Sequence, residues 1–215
     1  MPPPLAAFKE GEALLVKHEY RAAIVRFDRA LRLHPGFAAA LVWRGRCYLA
    51  LEDTKKALAD LSAAIKLNPK IPDAYYYRAR TFIEERKMQA AIRDCTSAIA
   101  LAKRDDFYKL RAGLLLMYDR QKEAVSDYTA ALSCSPDDPG SIYFDRGGAY
   151  ERLGEPRKAI ADYTKAIELG TKSAGEIEKA YANRSNLYKQ IGRMDLSARD
   201  LKLLKERTSD TLGLP

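Results

Sequence analysis

The chain has 215 residues, of which 47% are hydrophobic and 31% are charged, so it can bury a substantial core and does not have the composition of a disordered polymer. No apolar stretch approaches the roughly 20 residues that a membrane-spanning helix needs, and Cys47, Cys95 and Cys134 fit neither a disulfide framework nor a metal-binding pattern. The formal net charge of +8 keeps nucleic acid open as a partner, although acidic residues interrupt the basic clusters.

Helix pairs are predicted along the whole chain, because apolar residues recur at spacings of three and four on either side of short polar turns. In chain order, we predict six pairs at about residues 4–37, 38–71, 72–104, 105–139, 140–177 and 178–207, followed by a tail at 208–215. Turns inside the pairs are predicted at Glu52–Asp53, Asp119, Gly154–Pro156 and Gly192, and proline ends second helices at Pro35, Pro69 and Pro136.

The six pairs share columns of small and large residues. The small residue of the first helix is Gly11, Gly45, Ala79, Ala112, Gly147 or Ser185, at steps of 34, 34, 33, 35 and 38 residues. The second helix carries another small residue, at Ala23, Ala57, Ala91, Ala124, Ala159 and Ser197, and a large one at Phe27, Leu61, Cys95, Tyr128, Tyr163 and Leu201. Small residues on both helices allow close packing, and the step of 38 implies a longer loop around 170–177.

These columns resemble the tetratricopeptide repeat, whose 34-residue signature runs W-x2-L-G-x2-Y, then A-x3-F, then P. The second pair carries it as Leu41, Arg44, Gly45, Tyr48, Ala57, Leu61 and Pro69, and the fifth as Tyr143, Arg146, Gly147, Tyr150, Ala159 and Tyr163. The departures are Cys95, Ser197 and the missing proline after three pairs. The resemblance implies one domain at 1–207, an all-α, right-handed superhelical solenoid of about six repeats and twelve helices, whose first helices line a concave groove.

A pair of opposite charges recurs in every repeat at a spacing of 16 residues. The pairs are Arg44–Asp60, Arg78–Asp94, Arg111–Asp127, Arg146–Asp162 and Arg184–Asp200, and Glu10–Arg26 has the two signs exchanged. Such an exchange is hard to explain if the arginines bind phosphate. We therefore predict exposed ion pairs that align the two helices of each repeat and contribute ~0–1 kcal/mol each.

The segment Arg146-Gly147-Gly148 fits three interpretations: an RNA-contacting element, a phosphate cradle, or a close contact between helices. Gly147 falls in the small column and Arg146 has a predicted aspartate partner, which favours the helix contact. Gly148 and Gly113 occupy the next position, where two other repeats have arginine. Two bare positions leave the backbone open to a ligand chain, although each glycine costs a helix ~0.5–1 kcal/mol.

The resemblance places a further set of residues in the groove. They are Trp43, Arg46, Tyr76, Tyr77, Arg80, Lys109, Leu110, Gly113, Met117, Phe144 and Gly148. Aromatic and methionine side chains edged by arginine are typical of protein-binding surfaces; the alternative is that the aromatic residues only pack between repeats. We predict a non-catalytic protein–protein interaction scaffold that binds a peptide or helical segment in this groove.

Two other classes of partner are known for helical repeats, a chaperone C-terminus and RNA. Chaperone-binding relatives hold a C-terminal carboxylate with a clamp of two lysines, two asparagines and an arginine. This chain keeps Lys109 and Lys179 but has Gly113, Asp145 and Asn183 at the other positions, so we do not expect that clamp. An RNA-binding helical repeat is the alternative function, because the surplus positive charge on other faces suits a phosphate backbone.

Residues for catalysis are scarce in the sequence. The two histidines, His18 and His34, fall at predicted helix ends, and no GxSxG, HExxH, P-loop or GxGxxG motif is present. We therefore expect no enzyme, no metal and no cofactor. The first residues lack the pattern of a cleaved signal peptide, and the cysteine pattern suits a reducing compartment, so we expect a cytoplasmic protein without a membrane partner.

The last predicted helix carries more apolar residues than one face can bury against its own repeat, among them Leu196, Leu201, Leu203 and Leu204. Either the tail covers them, or a second copy of the chain does, or the chain is part of a longer protein. Because repeat arrays need polar caps, we favour self-association or a longer protein over cover by the tail.

Overall fold

A computed structural model of the chain describes residues 3–173 and 175–212, and for 209–212 it describes the helical backbone alone. The described residues form α-helices and no strand. In chain order the helices are α1 (Pro3–Val16), α2 (Tyr20–Leu33), α3 (Ala38–Ala50), α4 (Thr54–Leu67), α5 (Pro72–Glu84), α6 (Met88–Leu101), α7 (Asp105–Leu116), α8 (Gln121–Leu132), α9 (Pro139–Arg152), α10 (Pro156–Leu169), α11 (Glu176–Gln190) and α12 (Met194–Leu212). The predicted all-α fold is confirmed.

Two compact units divide the chain between residues 103 and 104, one residue before the predicted start of the fourth repeat. In the first unit α1 packs with α2, α3 with α4 and α5 with α6, and successive pairs meet through α2 with α3 and α4 with α5. In the second unit α7 packs with α8, α9 with α10 and α11 with α12, and the pairs meet through α8 with α9 and α10 with α11. We call the first helix of each pair the A helix and the second the B helix. Helix α12 continues past residue 207, and residues 213–215 of the predicted tail lie outside the described residues.

The small column of the A helix packs against the large column of the B helix. A Cβ atom added at Gly45 would lie 2.8 Å from Leu61 Cγ, and one at Gly147 would lie 2.9 Å from Tyr163 Cε1. Real side chains do not approach so closely, so these helices need glycine where the partner is large. At the departure, the smaller Cys95 of the B helix shares its repeat with Ala79 on the A helix, and both are fully buried.

Serine replaces both small residues in the sixth repeat, and the structure explains the exchange. The Oγ atoms of Ser185 and Ser197 are 2.8 Å apart, and Ser185 Oγ lies 3.2 Å from the Ser197 carbonyl oxygen. Both side chains are buried, so each hydroxyl satisfies the other. One serine alone would leave a buried hydroxyl without this partner.

Every A helix ends in a left-handed turn seven residues after the small column. The positive φ angles are 61° at His18, 62° at Glu52, 58° at Arg86, 53° at Asp119, 70° at Gly154 and 77° at Gly192. The next amide then donates to the carbonyl five residues back, as from Lys87 to Phe82 with an N···O distance of 2.7 Å. This is a Schellman closure, in which glycine is the usual residue. Sequence analysis missed the turn at Arg86, where no helix-breaking residue marks it.

The longer loop predicted at 170–177 lies between α10 and α11 and packs onto the start of α9. The carboxylate of Asp138 accepts a hydrogen bond from the amide of Lys172 at 3.1 Å. A Cβ atom at Gly140 would lie 1.6 Å from the carbonyl oxygen of Gly170. The contact therefore requires glycine at position 140 and fixes the loop against the fifth repeat.

Candidate functional site

The six predicted charge pairs all lie at ion-pair distance. The N···O distances are 3.3 Å for Glu10–Arg26 and 2.7 Å for Arg44–Asp60, Arg78–Asp94, Arg111–Asp127, Arg146–Asp162 and Arg184–Asp200. In the five Arg–Asp pairs, Nε and Nη2 of arginine donate to the two oxygens of one carboxylate. These five aspartates are buried, so the expectation of exposed pairs is wrong for them. It holds for the first repeat, where both side chains are about half exposed.

Four of these arginines also contact the preceding repeat, a contact that the spacing of 16 residues did not predict. Nη1 donates to a B-helix oxygen at 2.6 Å in Arg44–Asp28, 3.3 Å in Arg78–Ser62, 3.0 Å in Arg146–Thr129 and 2.9 Å in Arg184–Thr164. Each acceptor comes one residue after the large column, so a column of hydroxyl and carboxylate side chains was the available signal. Arg146 is thus fully engaged in packing, which removes the support for an RNA-contacting element at residues 146–148.

The A-helix residues of the first unit form an aromatic cluster. The ring centroids of Trp43 and Tyr77 are 5.8 Å apart and those of Tyr76 and Tyr77 are 5.2 Å apart. The guanidinium carbon of Arg46 lies 5.4 Å from both the Trp43 and the Tyr77 ring, and that of Arg80 lies 5.9 Å from Tyr76. Trp43, Arg46 and Tyr76 are half-buried and Arg80 is exposed.

Tyr77 differs from the other predicted groove residues because only 7% of it is exposed. Desolvation by this burial raises the pKa of its hydroxyl. Its ring supports Trp43 and Arg46 from below, so the tyrosine shapes the surface and offers little contact area of its own. The packing alternative therefore describes Tyr77 better than direct contact with a partner does.

A small cavity opens beside this cluster, and we call it the arginine cavity. It has a volume of about 180 Å³ and is lined by Tyr20, Arg46, Leu49, Ala50, Arg80 and Glu84. The lining combines two guanidinium groups, one carboxylate and apolar surface. The hydroxyl of Tyr20 is held by a hydrogen bond with Nδ1 of His18 at 2.8 Å.

The second unit presents a different A-helix surface. Lys109, Leu110 and Gly113 are half-buried on α7, and Met117, which follows α7, is 65% exposed. Phe144 is half-buried, and its ring lies 5.7 Å from that of Tyr163. The second predicted groove glycine, Gly148, lies on α9 and is also half-buried.

Polar groups beside Gly148 form a short hydrogen-bond chain in the second unit. The hydroxyl of Tyr163 donates to Glu151 at 2.9 Å and accepts from Nδ2 of Asn183 at 3.1 Å. Because these bonds fix the ring of Tyr163, they also fix the wall against which Gly147 packs. Asn183 stands where the chaperone-type clamp needs another residue, and in this chain it holds the Tyr163 hydroxyl.

The A-helix face of the second unit also contains a titratable group. Burial raises the pKa of Asp145 to about 6, Lys109 lowers it, and Glu176 and Asp138 raise it further. A carboxyl group whose folded-state pKa exceeds its unfolded value of ~3.9 favours the folded state when it is protonated. The folded state therefore gains stability as the pH falls from above 6 towards 4, and loses that stability as the pH rises again.

The remaining candidate groups are structural. Burial raises the pKa of Cys47 to about 12, which keeps its thiol protonated. Across residues 3–173 and 175–208 no three His, Cys, Asp or Glu side chains group as a metal site. In the same part of the chain no helix has both the length and the apolar character needed to cross a membrane. On α12 Leu201 is 43% exposed, and self-association through this helix stays a prediction.

Comparison with known proteins identifies the repeat. Family models of the tetratricopeptide repeat match residues 14–81 and 140–169, which include parts of the first and third repeats, the whole of the second and most of the fifth. The chain contains tetratricopeptide repeats. Proteins with tetratricopeptide repeats are generally non-catalytic interaction scaffolds. No curated protein matches the sequence significantly.

Solved structures share the tetratricopeptide fold at low sequence identity. The chain is similar to PilF of Pseudomonas aeruginosa, with a TM-score of 0.80, 15% identity and coverage of 95% of this chain and 91% of PilF. YrrB, described as a TPR protein with an unusual peptide-binding site, gives a TM-score of 0.73 and 15% identity over 84% of this chain and 91% of YrrB. MamA gives a TM-score of 0.65 and 24% identity over 77% of this chain and 91% of MamA. These TM-scores show a shared fold, and the predicted solenoid class is confirmed.

Proposed function

We propose that the chain is a non-catalytic scaffold that binds a peptide segment of a partner protein along its A-helix face, the surface that the A helices form in each unit. The family supports the general role, and the structural relative YrrB is described as having a peptide-binding site. Cys47, Cys95 and Cys134 form no disulfide within the part of the chain that the structure describes, which suits a reducing compartment, so the proposed location is the cytoplasm.

The observation that carries this proposal is the pair of A-helix glycines with no packing role. A Cβ atom added at Gly113 meets no atom within 4 Å, and one at Gly148 meets only the hydroxyl of Tyr163 at an ordinary 3.7 Å. Glycine inside a helix costs ~0.5–1 kcal/mol relative to alanine, and the packing gives nothing in return. Bare backbone lets an extended chain approach closely, and that use accounts for both positions.

Filling the two positions separates binding from folding. The variant Gly113→Gln with Gly148→Gln places two side chains on the A-helix face, and the control Ser126→Gln with Ala161→Gln adds the same groups at exposed B-helix positions. Peptides selected from a random twelve-residue displayed library against the wild-type chain should bind the control equally well. Gly113 and Gly148 both lie in the second unit, so the affinity of the selected peptides that bind this unit should fall at least about tenfold in the filled variant, with unchanged helicity by circular dichroism.

The same experiment decides against the proposal in two ways. Equal affinity of every selected peptide for the filled variant would refute the two glycine positions as a binding surface, and recovery of no peptide would refute the scaffold. A uridine-rich oligonucleotide, measured at about 50 and 200 mM salt, tests the RNA alternative. Tight binding that falls steeply with salt and ignores the filled positions would favour RNA as the partner.

A further inference from the structure

Arginines with two different surroundings alternate on the A helices of the first unit. Arg44 and Arg78 are each held by a buried aspartate of the B helix. Arg46 and Arg80 come two residues later and line the arginine cavity. Among the described residues, neither has a carboxylate at ion-pair distance. Two cations on one face are therefore not neutralised by the fold itself.

The rings around these two arginines limit their movement. Arg46 lies over Trp43 and over Tyr77, which belong to adjacent A helices, and Arg80 lies over Tyr76. A guanidinium held near an aromatic ring by a cation–π contact can still donate its N–H groups to an anion. Both cations are thus partly ordered before a ligand arrives, which lowers the entropy cost of binding an anion.

The size of the arginine cavity limits what it accepts. Its volume of about 180 Å³ is below the ~300–1,000 Å³ of sites for drug-sized molecules, so it suits one side chain. Glu84 also lines the cavity and is exposed at the end of α5. Two guanidinium groups against one carboxylate leave the lining positive, while Leu49 supplies apolar surface for the methylene groups of an incoming side chain.

We propose that the arginine cavity binds one aspartate or glutamate side chain of the partner peptide, held between the guanidinium groups of Arg46 and Arg80. This inference rests on the proposed function, because the side chain arrives as part of a peptide on the A-helix face of the first unit. Arginine binds carboxylate through paired, charge-assisted hydrogen bonds, which supply both affinity and orientation. The rings of Trp43, Tyr76 and Tyr77 then support the two arginines of this anion site.

The chain contains its own reporter for this site. Trp43 is the single tryptophan, and the Arg46 guanidinium carbon lies 5.4 Å from its ring, so binding at Arg46 should change the tryptophan fluorescence. The selected library peptides provide the probes, each synthesised with its acidic residue and with the matching amide. The protein is the full chain as wild type, as Arg46→Gln with Arg80→Gln, and as the control Arg29→Gln with Arg93→Gln, two exposed B-helix positions.

We expect selected peptides to be enriched in acidic residues. Replacing the critical acid by its amide should weaken binding to the wild type and to the control at least about tenfold, and should change binding to the cavity variant less than about twofold. Equal weakening in all three proteins would overturn the proposal, because the acid would then be recognised elsewhere. Circular dichroism confirms that the variants fold.

Other outcomes separate this inference from the scaffold. Some peptides could be recovered without acidic residues and still bind the filled A-helix variant more weakly than the wild type. That result would overturn the carboxylate site and leave the scaffold standing. Recovery of no peptide would overturn both. A phosphoserine version that binds more than about tenfold tighter than the acidic version would also overturn the proposal and would identify phosphate as the true ligand group.

Discussion

Neighbouring glycines on α9 should respond in opposite ways to the same substitution. Gly147→Ala places a Cβ atom 2.9 Å from Tyr163, whose side chain is 1% exposed and whose hydroxyl is bonded to Glu151 and Asn183. The ring cannot withdraw without losing those bonds, so overpacking of about 1–3 kcal/mol outweighs the ~0.5–1 kcal/mol gained from helix propensity. We expect a net loss of about 0.5–2 kcal/mol in the free energy of unfolding.

At Gly148 the added methyl group meets only the Tyr163 hydroxyl at 3.7 Å. Overpacking is absent there, so Gly148→Ala should stabilise the chain by about 0.5–1 kcal/mol. Urea unfolding of both variants, followed by circular dichroism, measures the two changes against the wild type. A Gly147→Ala variant as stable as Gly148→Ala would refute the distinction between packing glycines and open glycines on which the proposed binding face depends.

Three further perturbations test other parts of the structure. Arg86→Gly relieves a left-handed residue and should raise the free energy of unfolding by about 0.5–1 kcal/mol; a decrease in urea stability would contradict the assigned turn. A double-mutant cycle of Arg146→Ala and Asp162→Ala should give a coupling energy of about 1–3 kcal/mol, because the pair is bidentate and half-buried or deeper; zero coupling would remove its structural role. As the pH falls from 7.5 to 4.5, the free energy of unfolding of the wild type should rise by about 2 kcal/mol relative to that of Asp145→Asn, because the pKa of this carboxyl group is raised in the folded state. Parallel pH profiles of the two proteins would show that Asp145 is solvated.

Features that depend on spacing could be predicted from the sequence. The period placed Gly147 against a helix and paired Arg146 with Asp162, because two antiparallel helices joined by a short turn bring residues at a fixed separation together. The same period located the inserted loop before α11. The existence of an A-helix face follows from the repeat as well. Which residues of this face contact a partner stays a prediction.

Features that depend on side-chain conformation could not be predicted in the same way. The position of Tyr77 in the repeat says which face it is on, but not that its ring packs against Trp43 and Arg46 and is buried. The burial of Asp162 follows from the bidentate grip of Arg146, which closes over it. The spacing of residues in the sequence predicts which side chains are neighbours, whereas the side-chain rotamers decide which of those neighbours is buried.

The bridging guanidinium groups tie the energetics of adjacent repeats together. In an array of repeats, stability is approximately a sum of terms within each repeat and terms between neighbours. Arg146 contributes to both through one rigid group, since it holds Asp162 in its own repeat and Thr129 in the one before. Its loss should therefore broaden the unfolding transition and lower the m-value, as the fourth and fifth repeats begin to melt separately. In each unit, the side chain that aligns two helices also sets how many repeats unfold as one.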